Sequence, residues 1–129
     1  MTDMDRELRV TPLNAQVAVF SPSAPDFPEW GTGEEPAVAT TTAILVATRD
    51  DLAGPVTVRV CTEAAALDGF TTVLGTTLTL RDGVVAFGSF LSGEVERMPL
   101  PTTGAFLATV SVDVPGEASS VLVSLTPSS

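Results

Sequence analysis

The chain has 129 residues, 44% of them hydrophobic and 17% charged, with six arginines, no histidine and a formal net charge of -10. The length suits one domain with one core, and the apolar content argues against a chain that is disordered throughout. Acidity without basic patches argues against nucleic-acid binding, and no apolar run approaches the ~18 residues of a membrane-spanning helix.

The predicted elements are almost all strands, because segments rich in β-branched residues alternate with turn residues. In chain order the predicted strands cover residues 8–10, 15–20, 38–48, 56–61, 71–80, 84–90, 95–100, 106–114 and 121–125. About eight or nine short strands at this spacing are typical of an all-β antiparallel β-sandwich. We therefore predict one sandwich domain over residues 1–129, with frayed ends at 1–5 and 127–129.

Turn residues divide these strands. Pro22, Pro25 and Pro28 argue against regular structure after the second strand. Residues 81–83, with the sequence RDG, predict a tight hairpin between the strands on either side, since glycine accepts the positive φ of such turns. Residues 63–67, with the sequence EAAAL, predict one short helical turn.

The residue types argue against catalysis. The chain has no histidine, lysine or tyrosine, and so lacks the commonest general base, the Schiff-base amine and the phenolic acid. The single cysteine, Cys61, has no histidine to activate it and no partner for an internal disulfide, which favours a buried side chain in a reducing, cytoplasmic setting. A hydrolase that uses only acids would need two carboxylates about 5 to 9.5 Å apart in a cleft.

The sequence also predicts no metal site and no cofactor. One cysteine without histidine cannot supply a zinc or copper ligand set. Calcium needs only oxygen ligands, but the acidic pairs 34–35 and 50–51 lack the spacing of a calcium loop. Calcium binding at an acidic pair stays open at this stage.

The only tryptophan, Trp30, lies in an acidic stretch broken by proline and glycine, SAPDFPEWGTGEE. Tryptophan is common at the energetic centres of interfaces, and acids around it fit a basic partner. The candidate partner-binding residues are therefore Asp26, Phe27, Glu29, Trp30, Glu34 and Glu35. In the alternative interpretation, the two aromatic side chains fold back as a lid over one end of the sandwich.

The order of segments resembles one known family. The stretches LRVTPLNAQVAVFSPSAPDFPEW, GPVTVRV, GFTTVLGTTLTLRDGVVAFGS and MPLPTTGAFLATVSV look like the course of competence protein J-like β-sandwich proteins. The resemblance implies a small acidic inhibitor that binds and neutralises a cognate nuclease, with Trp30 as a contact. The sequence departs from the family pattern after Trp30, where it has GTGEEPAVATTT.

We therefore predict a non-enzymatic inhibitor or immunity protein whose partner is a basic nuclease or toxin. The alternative is a structural or assembly module whose strand edges pair within a homo-oligomer.

Overall fold

This computed structural model describes residues 5–23, 25–63 and 68–128. Within them, ten strands form two five-stranded sheets. The strands are β1 (Asp5–Val10), β2 (Gln16–Phe20), β3 (Ala37–Ala39), β4 (Ala43–Ala47), β5 (Val56–Cys61), β6 (Thr71–Leu80), β7 (Val84–Ser89), β8 (Glu94–Pro99), β9 (Gly104–Val112) and β10 (Ser120–Pro127). The first sheet has the order β1-β5-β10-β9-β6, and the second has the order β3-β4-β2-β7-β8. All neighbours are antiparallel except β5 and β10, which run parallel. The predicted all-β sandwich is confirmed.

The core lies between the two sheets. Alternate residues of β5 and β9 point into it from the first sheet, while β7 contributes Val85 and Phe87 from the second. Phe87 and Phe106 are the largest fully buried side chains. Alternate residues of β5 and β9 are the ones that reach this core, and such a period of two in the sequence predicts the fold class.

The predicted strand 38–48 is wrong as a single element. The chain forms β3 and β4, two antiparallel strands joined by a turn at residues 40–42, and the backbone N–H of Thr40 donates to the carbonyl of Ala43 at 2.8 Å. The turn contains no glycine or proline. Instead, the hydroxyl of Thr40 accepts from the N–H of Thr42 at 3.3 Å and donates to the carbonyl of Asp26. Threonine favours strands by propensity, so this turn gives no signal in the sequence.

The predicted hairpin at residues 81–83 is also wrong. The turn exists, because Gly83 has a left-handed φ of 67° and its N–H donates to the carbonyl of Leu80. However, β6 pairs with β9 in the first sheet, whereas β7 pairs with β2 and β8 in the second. The turn therefore carries the chain from one sheet to the other, which its local residue chemistry cannot reveal.

Two predictions fall at the limits of the described residues. The helical turn 63–67 lies outside them, except for Glu63. Of the predicted ends, residues 1–4 and 129 also lie outside, while Asp5 begins β1 and Pro127 ends β10. Within the described residues there is no helix of the length and apolar character that crossing a membrane requires.

Candidate functional site

The outer face of the second sheet is apolar, although the outer face of an antiparallel sheet is usually polar. Its buried residues are Ala18, Phe20, Ala43, Leu45 and Ala86. The segment from residue 21 to residue 36 lies across this face, with residue 24 outside the description, and its Phe27 and Trp30 pack half-buried on these side chains. The two aromatic residues do fold back onto the protein. They cover the face of a sheet, however, and not one end of the sandwich.

Trp30 is held in one orientation by β2. Its indole Nε1–H donates to the side-chain Oε1 of Gln16, the first residue of that strand, at 2.9 Å. A partly buried indole N–H normally finds such an acceptor, and here it fixes the ring over the sheet. Trp30 is therefore both a cover for apolar residues and a rigid, partly accessible surface.

Three phenylalanines form a cluster beside the tryptophan. The ring centroids of Phe20 and Phe27 are 5.2 Å apart, those of Phe27 and Phe90 4.8 Å, and those of Phe20 and Phe90 5.7 Å. These spacings suit tilted and edge-to-face contacts. Phe90 is nevertheless 52% exposed and its neighbour Leu91 50% exposed, in the turn between β7 and β8. The sequence analysis missed this pair, because it placed Phe90 at the end of the predicted strand 84–90, whereas β7 ends at Ser89.

Trp30 lines a cleft on each of two sides of its loop. The first, of about 330 Å³, is apolar apart from Gln16, and its walls are Phe27, Pro28, Trp30, Leu45, Phe90 and Leu91. The second, of about 270 Å³, is bounded by Asn14, Ala15, Trp30, Gly33, Thr48 and Gly116, among others. The first cleft has the shape and composition to take an apolar side chain from another molecule.

The four candidate carboxylates do not have equivalent positions. Asp26 and Glu29 are exposed and adjoin Phe27 and Trp30 in the chain, and Glu34 is exposed further along the same loop. Glu35 is half-buried, and its carboxylate closes the loop. It accepts from the backbone N–H groups of residues 31, 32 and 33 at 2.7, 3.1 and 2.9 Å, and from the Thr32 hydroxyl at 3.1 Å. Three of these acids are thus exposed to solvent, and the fourth shapes the loop.

Hydrogen bonding to backbone N–H groups lowers the pKa of Glu35 from 4.5 to about 2, and its own N–H has the largest effect. The N–H groups of Gly31 and Gly33 and the hydroxyl of Thr32 lower the pKa further, while desolvation raises it. We expect this group to titrate with a midpoint near 2 when its side-chain carboxyl carbon is followed by NMR. Because the pKa of Glu35 is lower in the folded protein than in the unfolded chain, the ionised carboxylate stabilises the fold. This contribution to the free energy of unfolding is complete above pH 4.5 and is lost as the pH falls through 2. The variant Glu35→Gln should lack this NMR titration, and its free energy of unfolding should lack this part of the pH dependence. A midpoint near 4.5 would show that the carboxylate does not hold the loop.

The remaining chemistry-bearing groups form no further site within residues 5–23, 25–63 and 68–128. Cys61 is buried, its thiol donates to the carbonyl of Glu63 at 3.4 Å, and burial raises its pKa, so it stays protonated. In the part of the chain that the structure describes, no three acidic, cysteine or histidine side chains come together as a metal site. A third cleft, on the first sheet, is lined by Glu7 among other residues. Among the described residues, Glu7 is the one carboxylate that lines any of these three clefts.

Comparisons with known proteins agree with the fold. No protein-family model matches the chain, and no curated protein matches it in sequence. The crystal structure of ComJ from Bacillus subtilis, described as an inhibitor of the DNA-degrading activity of NucA, is similar over 99% of this chain and 100% of that chain, with a TM-score of 0.75 and 13% identity. A second structure, described as crocagin biosynthetic gene J, covers 100% of both chains with a TM-score of 0.68 and 11% identity. The predicted resemblance to competence protein J-like sandwiches is thereby confirmed at the level of the fold.

Proposed function

We propose that this protein is a non-enzymatic inhibitor of the immunity type, which binds and neutralises a basic nuclease. Its fold is that of a nuclease inhibitor over nearly the whole chain, and its net charge of -10 suits a basic partner. Since one fold can carry many functions, the proposal must be supported by a specific site.

The observation that carries the proposal is the apolar cleft beside Trp30. Phe90 and Leu91, each about half exposed, extend an apolar surface that the loop only partly covers. Contiguous exposed apolar side chains mark interaction sites in soluble proteins. Because hydrogen bonding to Gln16 already holds the indole in place, little side-chain entropy is lost when a partner binds.

The exposed carboxylates of the loop that carries Trp30 indicate what kind of partner the protein fits. Asp26, Glu29 and Glu34 are exposed on the same loop as Trp30. A nuclease holds phosphate with arginine and lysine, and these cations would form charge-assisted hydrogen bonds with the three carboxylates. The loop would then occupy the surface that DNA requires, while Glu35 keeps the loop in shape. Long-range attraction between the two proteins would speed their encounter and weaken with salt.

The test begins with capture by the tagged protein from its native cells at low salt, followed by purification of the retained partner. We expect this partner to degrade DNA alone, to lose that activity when an equimolar amount of this protein is added, and to dissociate more readily at high salt. A retained partner without nuclease activity, or one whose activity is unchanged by binding, would contradict the proposal.

A charge-matched pair of variants tests the role of the loop. The triple change Asp26→Asn, Glu29→Gln and Glu34→Gln should slow association about tenfold or more at low salt, because it removes three carboxylates close to the contact. The control removes three exposed acids elsewhere, through the changes Asp51→Asn, Asp68→Asn and Asp82→Asn. It has the same net charge, and we expect only a small decrease in its association rate. Equal effects of the two triple variants would show that total charge, and not this loop, governs binding.

A further inference from the structure

The second cleft beside Trp30 differs from the first in having polar walls. Besides the tryptophan it is lined by two polar residues, Asn14 and Thr48, and by two glycines, Gly33 and Gly116, among others, and its volume is about 270 Å³. Pockets for small molecules measure roughly 300–1,000 Å³, so a cleft of this size suits a single side chain. None of the described residues that line it carries a charge. The cleft therefore combines an aromatic wall with neutral polar groups.

The wall at Asn14 is built from backbone that few residues with a side chain adopt. Asn14 and Ala15 have left-handed φ angles of 58° and 54°. Asparagine tolerates this region, whereas alanine seldom occupies it. The N–H of Ala15 donates to the carbonyl of Pro12 at 3.2 Å, and its carbonyl accepts from the N–H of Thr48 at 2.9 Å. Strained backbone that its surroundings hold in place is common at ligand sites, and here it fixes Asn14 beside the cleft.

The carboxamide of Asn14 is available to a ligand. It is exposed, and among the described residues it has no hydrogen-bond partner within the protein. Its oxygen can accept two hydrogen bonds and its nitrogen can donate two. Because the backbone on both sides is already fixed, a ligand that binds this group has little of the chain to order.

The charges next to the cleft in the chain are mainly acidic. Glu34 and Glu117 are exposed, and each directly follows one of the two glycines that line the cleft. Arg49 follows Thr48, but its guanidinium Nη2 donates to the carbonyl of Pro55. Together with the net charge of -10, these positions favour a cation as the occupant.

Arginine fits these walls better than lysine does. A guanidinium is planar and stacks on an indole, and it is more weakly hydrated than an ammonium, so less hydration is lost when it enters a partly apolar cleft. Its five N–H groups allow it to stack on Trp30 and still donate to the Asn14 oxygen. A lysine ammonium is a compact charge without a planar face.

We propose that the second cleft is a guanidinium site, in which an arginine side chain of the partner stacks on Trp30 and donates to the carboxamide oxygen of Asn14. This inference rests on the proposed function, because it assigns one contact of the basic partner. The apolar cleft on the other side of the loop takes an apolar side chain of the same partner. The loop is thus held between two anchors of different chemistry.

Small probes added to the full chain alone test the site without the partner. The probes are Nα-acetylarginine methylamide, the lysine analogue of the same charge, and the citrulline analogue, which has nearly the same shape and no charge. We expect the arginine probe to shift the NMR signals of the Trp30 indole N–H and of the Asn14 and Gly33 amides in a saturable manner. Its affinity should be about tenfold higher than that of either analogue. Equal affinities, or shifts confined to exposed acids elsewhere, would overturn the proposal.

Two substitutions at Asn14 keep its backbone conformation and change only the side chain. Asn14→Gly removes the carboxamide, and glycine adopts a left-handed φ freely, so the arginine probe should bind about tenfold more weakly to a protein of unchanged stability. Asn14→Asp puts a carboxylate in the same place and should strengthen binding of the arginine probe about fivefold or more. The matched control is Thr102→Asp, since Thr102 is exposed and precedes β9, whereas Gly116 follows it. This added charge should leave the affinity nearly unchanged.

The purified partner separates this inference from the proposed function. Asn14→Gly should weaken its binding about tenfold. Selection of the arginine probe that Asn14→Gly abolishes supports the guanidinium site even where the captured partner has no nuclease activity. A nuclease that is inhibited equally by the Asn14→Gly protein overturns the guanidinium site and leaves the proposed function in place.

Discussion

Replacing Trp30 with alanine is expected to weaken binding of the proposed nuclease partner about 100-fold or more, the scale of a tryptophan at an interface centre. The indole is a wall of both clefts, so its loss removes the surface that a partner side chain would contact. The core between the sheets should remain, because Trp30 packs on the outer face of the second sheet and outside the main core. Calorimetric titration with the purified partner gives the affinity, and a urea denaturation curve checks the fold.

Graded variants separate the contributions to this loss. Trp30→Phe keeps an aromatic ring but cannot donate to Gln16, so the ring is no longer held in place before binding, and we expect about a tenfold loss of affinity. Phe90→Ala and Leu91→Ala should each weaken binding about tenfold with little effect on folding, since both side chains are about half exposed.

The control for these variants is Leu52→Ala. Leu52 is 93% exposed and lines neither cleft beside Trp30, so its removal should leave the affinity unchanged. Binding by the Trp30→Ala protein at the original affinity would place the contact surface elsewhere on the molecule. Equal losses in all the variants, Leu52→Ala included, would point to a general effect of removing apolar side chains.

The fold class could be predicted because burial of one face imposes a period of two on strands such as β5. Val56–Cys61 and Thr71–Leu80 were predicted with the bounds that the structure has, and both alternate between core and surface. The assignment of strands to sheets could not be predicted, because it depends on contacts distant in sequence. A tight turn at Gly83 has the same local chemistry whether the next strand pairs with the last one or joins the opposite sheet.

The candidate site could be predicted only where its residues are neighbours in sequence. The unusual composition of one loop identified Trp30 and Phe27. Phe90 reaches the same place because β2 pairs with β7, with Phe20 opposite Ala86, and no local pattern contains that information. The position of Glu35 was equally hidden, since its hydrogen bonds to the loop depend on how the backbone turns at residues 31–33.

The largest loss of stability is expected from Gly88→Ala, near the end of β7 in the second sheet. Gly88 has a left-handed φ of 138°. A Cβ there would overlap the carbonyl oxygen of Glu94 and meet Cδ2 of Leu8 at 3.0 Å. The clash is with the backbone of β8, which cannot move without disturbing its pairing with β7. Strain and overpacking together should cost about 3 kcal/mol or more, a large share of the free energy of unfolding of a small domain.

Urea denaturation of Gly88→Ala beside Gly75→Ala provides a matched comparison. Both changes add one methyl group to a strand glycine, but Gly75 does not have a left-handed φ, and a Cβ there meets open space. The second variant should therefore equal the unmodified protein or gain up to about 1 kcal/mol from a less flexible unfolded chain. Equal midpoints for the two variants would contradict the close contact between β7 and β8 at Gly88. The turn carrying Phe90 connects these two strands, so we also expect Gly88→Ala to weaken partner binding, and Gly75→Ala not to.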